Sequence, residues 1–470
     1  MDPVMIDRRA FLRRAAALSG GAFAPSLLGL SSLSASVRPV PRADGYGPLV
    51  RSAEVPELWV PQGFRVRKLS TTRAPSLVNP AWEVKYGVDG MAAFGGRTRG
   101  TVRLVRNHEV ADAADVARVL GAGARAYDRR AGGGTSTLEL HQGDDGEVEL
   151  VREFVSLSGT HVNCAGGRTP WGSWISCEET TAGPATGFER AHGYCFEVPA
   201  DADDEVEPVP LKALGRFVHE ALAVDEETGI VYLTEDVRHD PAIAAGRGAG
   251  FYRFIPRVPG RLAEGGRLQM LRIKDRPRYR TFTGQTVGAP MAVDWVDIDD
   301  ADPAEAETNV SAVFQQGWLK GGAMFERLEG CFAGQGNIYF DATEGGEVRA
   351  GQVWSYRPTG ADDGVLTLLF ESPSRDVLDS PDNLCLSPRG GLMICEDGLA
   401  EQYVRALTPG GELIDVVRTD AASPEFAGVC FSPNGQTLFF NIQGGTRAAA
   451  AATLSGGTYA LWGPWSRGPL

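Results

Sequence analysis

Six short β-rich runs in the sequence end in residues able to hold cations or move protons. They are Leu104–Glu109, Trp174–Glu179, Val231–Asp236, Ile338–Glu344, Leu392–Asp397 and Leu438–Gln443. Their tails bring Asn107, Glu109, Cys177, Glu178, Glu235, Asp341, Glu396 and Asp397. Ahead of each run, across a turn bearing Gly or Pro, lies a second short apolar run, as in Glu220–Val224 and Gly428–Phe431. A run, a tight turn and a second run make a β-hairpin.

Repetition of that hairpin predicts an all-β fold, a six-bladed β-propeller with a metal site in its central channel. Inner strands of the blades converge on the channel, so equivalent positions of distant repeats meet. The hairpin heads then form a ring of Asn163, Glu220, Glu329 and Asn383, with Gly90 and Gly428 in the remaining places and Asp89 and Asp382 one residue earlier. Carboxylates gathered on one channel repel unless they are protonated or neutralised by cations. Oxygen donors suit hard cations such as calcium, and a thiolate suits a softer or redox-active metal. A mixed site is the economical expectation. Strict alternation sets Cys177 and Glu178 on opposite faces of a strand, so both reach a metal only where the strand ends or bulges.

Composition narrows the function classes. Acidic residues outnumber basic ones, 60 to 46, for a formal charge of −14. Nucleic-acid binding needs a basic face to displace counterions, so that class is excluded. Apolar residues make up 43%, enough for a sizeable core, while 59 Gly and 29 Pro predict many turns and few long helices. The seven cysteines, Cys164, Cys177, Cys195, Cys331, Cys385, Cys395 and Cys430, include no C-x-x-C, and their odd number leaves a thiol unpaired. There is no G-x-S-x-G elbow and no phosphate-cradling G-x-x-x-x-G-K-[ST] loop. His219-Glu220 starts like a zinc motif but lacks the second His.

The N-terminus reads as an address. Asp7-Arg8-Arg9-Ala10-Phe11-Leu12-Arg13 precedes an apolar stretch and resembles a twin-arginine export signal. Arg13 and Arg14 interrupt that stretch early, which favours a signal peptide over a permanent membrane anchor. The expected organisation is a leader over 1–36, a linker over 37–55 and a single propeller domain over 56–470. A monomer located in the periplasm or outside the cell is expected, with the twin-arginine export machinery as its protein partner.

The segment Gly159–Glu179, with Thr169-Pro170-Trp171-Gly172 and Cys177-Glu178-Glu179 inside it, resembles the PhoX-type alkaline phosphatases. Gly215–Glu220, Thr234–Asp236, Phe251–Phe254, Arg327–Gly330, Ser380–Asn383 and Phe431–Gly435 extend the resemblance from about residue 60 to 445. It implies hydrolysis of phosphate monoesters by a metal-activated oxide or hydroxide, with iron (Fe3+) and calcium as cofactors. Carried over by motif, Cys177 is the thiolate ligand to iron, with Glu220 and Glu329 as catalytic carboxylate ligands nearby. Glu178, Asn107, Glu109, Asp382 and Asp397 hold calcium, and Arg327 grips the phosphate. Two other readings stay open: a calcium-dependent propeller lactonase or esterase, and a metal-stabilised scaffold that binds a ligand without turning it over.

Overall fold

The computed structural model describes residues 45–111, 120–121, 123–398, 400–422, 425–444 and 456–470. The leader expected over 1–36 and the linker residues 37–44 lie outside them. Among the described residues no helix is long and apolar enough to cross a membrane.

Antiparallel meanders follow one another along the chain in five hydrogen-bonded sheets, the third and fourth meanders being joined in one nine-stranded sheet where Pro290–Asp297 pairs with Gly364–Glu371, and together they build a β-propeller. Their innermost strands are Val88–Gly95, Asn163–Arg168, His219–Val224, Leu328–Gly334, Pro381–Leu386 and Phe426–Phe431. Each pairs with the next strand of its own meander, in turn Thr101–His108, Ser173–Glu178, Val231–Glu235, Asn337–Ala342, Leu392–Glu396 and Thr437–Ile442. Each innermost strand also lies against that of the following meander, and the sixth lies against the first, so the cycle is closed. Hydrogen bonds latch the ring through a strand from near the front: Arg65–Thr71 pairs with Gly457–Trp462 and completes the sixth meander. Leu49–Arg51, within the segment expected as linker, forms an edge strand against Leu58–Pro61 beside the fifth meander.

The core is distributed between the meanders rather than gathered at the axis. Val105 and Leu157 of the first meander pack on Trp174 and Phe196 of the second. Ile175 and Cys177 of the second pack on Leu222 and Leu233 of the third. Equivalent apolar clusters fill the other four junctions. Burial of these aromatic and β-branched side chains on both faces of a strand fixes the stacking of the meanders. The axis is left to small and polar residues. Arg106, fully buried at the closing junction, donates to Ser70 and Thr458 of the sixth meander and to Ser136 and Glu153 of the first.

Candidate metal centre

All six innermost strands begin with the same irregularity. Val88 pairs with His108 and Met91 with Arg106, so Asp89 and Gly90 together face the single residue Asn107, a β-bulge. The bulge recurs at Cys164-Ala165 opposite Cys177, at Glu220-Ala221 opposite Thr234, at Glu329-Gly330 opposite Asp341 and at Asp382-Asn383 opposite Cys395. In the sixth meander it falls on Gly428-Val429 and bears no ligand type. The second residue of the bulge is small where the next innermost strand crowds it. A Cβ on Gly90 would stand 2.5 Å from Ala165 Cα, and one on Gly330 would stand 2.4 Å from the Asp382 carbonyl oxygen.

A second set of positions is fixed by one repeated hydrogen bond. The residue just past each second strand donates its N–H to a carbonyl two residues ahead of the bulge or its equivalent. The six bonds run from Glu109 to Gly87, Glu179 to Val162, Asp236 to Val218, Thr343 to Arg327, Asp397 to Ser380 and Gln443 to Glu425. Four of the accepting residues have left-handed backbone: Gly87, Val162, Arg327 and Ser380. For Arg327, at φ 48°, that conformation costs energy, and the strain sits on the residue whose guanidinium enters the centre.

The two sets meet on the axis. Ligand atoms of Asp89, Glu109 and Cys164 lie within 4.8 Å of one another, as do those of Cys164, Glu179 and Glu220, and those of Glu220, Glu329 and Asp382. Shared Cys164 and Glu220 make these three groups one continuous train of donors. Neither carboxylate oxygen of the buried Glu220 has a hydrogen-bond partner. With no cation counted, burial and then the charges of Glu329, Glu179 and Asp382 push the Glu220 carboxyl far above its ordinary range. Asp89, Glu179, Glu329 and Asp382 are raised for the same two reasons, and Glu109 is pushed up to about 7. The Cys164 thiol is raised by burial and by Asp89 and Glu220. So many acids in one dry space are stable as anions only around cations, which reverse the local sign. The orphaned oxygens of Glu220 and the mixed oxygen and sulfur donors therefore fit bound metal.

Arg327 crosses the rim of this centre. Its Nε and Nη2 donate to Asp236 at 2.9 and 2.7 Å, and Nη2 lies 2.9 Å from Glu329 Oε1. Asp397 and the half-buried Glu425 complete the acid wall beside Asp382 and Glu109.

The structure thus brings together Glu220, Glu329, Asp382, Glu109, Asp397 and Arg327. It does not bring Cys177, Glu178 or Asn107 to them. The thiol on the axis belongs to Cys164. Cys177 faces the apolar junction with the third meander, its Sγ 3.6 Å from that of Cys195, because the regular alternation of its strand sends Ile175 and Cys177 to that face and Trp174 to the other. Glu178 is likewise displaced by Glu179. Its oxygens accept the N–H groups of His161, Gly193 and Tyr194 and the Nδ1 of His192 at 2.7 to 3.1 Å. Glu235 and Glu396, at the equivalent places, are spent in the same way on Tyr252 and Arg405. Asn107 donates to the carbonyls of Cys164 and Ala165 and accepts from Trp174 and Ser176, so it clasps the next meander's bulge. Sequence reasoning missed Cys164, Glu179, Asp236 and Glu425 as members of the centre. The available signal for Glu179 and Asp236 was the position one residue past a second strand.

Glu178 belongs to a clamp behind Glu179. His192 Nδ1 meets Glu178 at 2.7 Å and Nε2 meets Asp128 at 3.4 Å, all three side chains being fully buried. Burial opposes the charged imidazole, but Glu178 and Asp128 outweigh it and raise His192 to about 9. The clamp's stabilisation is complete below the ordinary value of about 6.5 and is lost as pH rises through 9, about 3 kcal/mol in all. Thermal unfolding should show a fall in melting temperature between pH 7 and pH 10 that His192→Gln removes. An unchanged slope in the variant would contradict the clamp.

The chain matches the alkaline phosphatase PhoX family over residues 44–445. It belongs to that family. Among solved structures it is similar to Pseudomonas fluorescens PhoX in complex with vanadate, a transition state analogue, at 18% identity and a TM-score of 0.66. The alignment covers 88% of this chain and 97% of that one. A gluconolactonase from Xanthomonas campestris aligns over 91% of this chain and 100% of its own, at 15% identity and a TM-score of 0.42. No curated protein sequence matches. As a PhoX-family member, the chain has the propeller of its solved relative and an acid-lined axis suited to metal-dependent phosphoryl chemistry.

Proposed function

We propose that the chain is an exported phosphatase that hydrolyses phosphate monoesters with iron and calcium in its channel. The observation that carries this reading is the convergence of Asp89, Glu109, Cys164, Glu179, Glu220, Glu329 and Asp382 beside an arginine in a PhoX-family propeller. Cys164, with Glu179 and Glu220, offers the thiolate-bearing set suited to iron, and the all-oxygen positions around Asp382, Asp397 and Glu109 suit calcium. Bound there, the cations would polarise phosphoryl oxygens and make water acidic enough to supply a nucleophile.

The residues of the chain do the positioning. Asp236 occupies the Nε and Nη2 edge of Arg327 and Glu329 takes Nη2 again, so the guanidinium is held in one plane. Nη1 approaches only Glu344, at 3.7 Å, and is the donor left for a phosphate oxygen. The buried walls exclude bulk water and strengthen each charge–charge contact. The twin-arginine leader read over 1–36 supports export after folding and metal loading.

The reading is tested on metal-loaded protein with p-nitrophenyl phosphate and elemental analysis. Turnover with iron and calcium bound is expected, and Glu329→Ala should lower kcat/KM by about 10³-fold. Calcium alone with lactone turnover, or full phosphatase activity in Glu329→Ala, would overturn it.

A further inference from the structure

Beyond the donors on the axis, one carboxylate on the same face gathers three arginines. Glu344 lies just past the second strand of the fourth meander, with its side chain 14% exposed. Its Oε1 is 3.7 Å from Arg327 Nη1 and also pairs with Arg238 Nη2, while its Oε2 pairs with Arg349 Nη2. Arg238 and Arg349 are 61% and 56% exposed, so their heads look outward from the rim while Arg327 looks inward. Glu326, 3.7 Å from Arg349, is already engaged by the His239 N–H. Arg375 donates to the Arg349 carbonyl and is itself paired with Asp379.

Three guanidiniums thus stand within reach of one carboxylate in a chain of charge −14. Arg349 also has left-handed backbone, φ 53°, as Arg327 does. A non-glycine residue keeps that conformation at a cost, and here it turns a second guanidinium toward the same carboxylate. Each guanidinium has five donors in a planar fork, and Glu344 engages one nitrogen of each exposed head. A phosphate dianion, with three acceptor oxygens, matches two such forks better than a carboxylate that is also shared with Arg327.

Resting on the phosphatase reading, we propose that Arg238 and Arg349 form a subsite for a second phosphate of the substrate. The favoured substrates are then monoesters of alcohols that bear another phosphate, such as sugar bisphosphates. Glu344 links the outer arginines to Arg327, so the second anion binds on the rim beside the first.

The test compares glucose 6-phosphate with glucose 1,6-bisphosphate on the metal-loaded full chain. Wild type should show a lower KM for the bisphosphate. In the double variant Arg238→Ala/Arg349→Ala, KM for the bisphosphate should rise about tenfold more than that for glucose 6-phosphate. Equal KM values in the wild type, or equal changes in the double variant, would overturn the subsite while leaving the phosphatase reading intact. If the wild type turns over neither sugar, the phosphatase reading is judged on p-nitrophenyl phosphate and calorimetry decides the subsite. Binding of glucose 1,6-bisphosphate that is lost in the double variant upholds it, and binding that is equal in both, or absent from the wild type, overturns it.

Discussion

Glu220→Ala is expected to lower kcat/KM for p-nitrophenyl phosphate by about 10³-fold or more and to lower the bound metal. Glu220 joins two of the three donor groups, and both of its buried oxygens lack any protein partner. Its removal therefore breaks the train of donors without leaving another protein group unpaired. The fold should tolerate the change, because the acids that remain repel one another less. Cys164→Ser tests the sulfur in the same assay, with loss of iron expected ahead of calcium. Cys177→Ser is the control: it should keep metal and activity and cost about 1 to 3 kcal/mol of stability for a hydroxyl among apolar side chains. Metal loss with Cys177→Ser and none with Cys164→Ser would reverse the assignment.

The second large effect belongs to Arg327. Arg327→Ala should cut kcat/KM by about 10² to 10³-fold, in the range found when one donor to a reacting oxyanion is removed. Arg327→Lys should recover little, since an ammonium cannot span Asp236, Glu329 and a phosphate oxygen together. Removal of the cation also leaves Asp236 and Glu329 facing each other in a buried space. The variant's metal content therefore has to be measured beside its rate. Retained metal with lost turnover assigns the effect to phosphate binding, and unchanged turnover would remove Arg327 from the site.

How far the centre was legible in the sequence depends on the bulge. Glu220 and Glu329 could be read because each heads a hairpin and the repeat brings heads together. Cys164 and Cys177 lie in the same hairpin, and alternation alone does not decide Cys164, because the residue inserted at Cys164-Ala165 changes the faces of its strand while Cys177 keeps the regular alternation of its own. Glu178 and Glu179 are adjacent acids of one type. Only the bond from the Glu179 N–H to the Val162 carbonyl marks which of them turns inward. Glu109 and Asp397 were found and Asp236 was not, although all three hold equivalent places past a second strand. The β class itself was plain, since short apolar runs between Gly- and Pro-bearing turns leave no room for long helices. Among the described residues the one α-helix is Ala312–Leu319, α1, which packs on the strand Gly266–Ile273 away from the axis.

The pairing of Arg65–Thr71 with Gly457–Trp462 has a consequence for biosynthesis. A nascent chain still attached to the ribosome has its first five meanders available but no partner for its leading strand. Asp89 and Glu109 then lack Gln443, which bonds both of them from the sixth meander. Any product terminated before residue 457 lacks that partner strand, however well its earlier parts fold. The acid-lined axis is thus complete only when the last strand has been made.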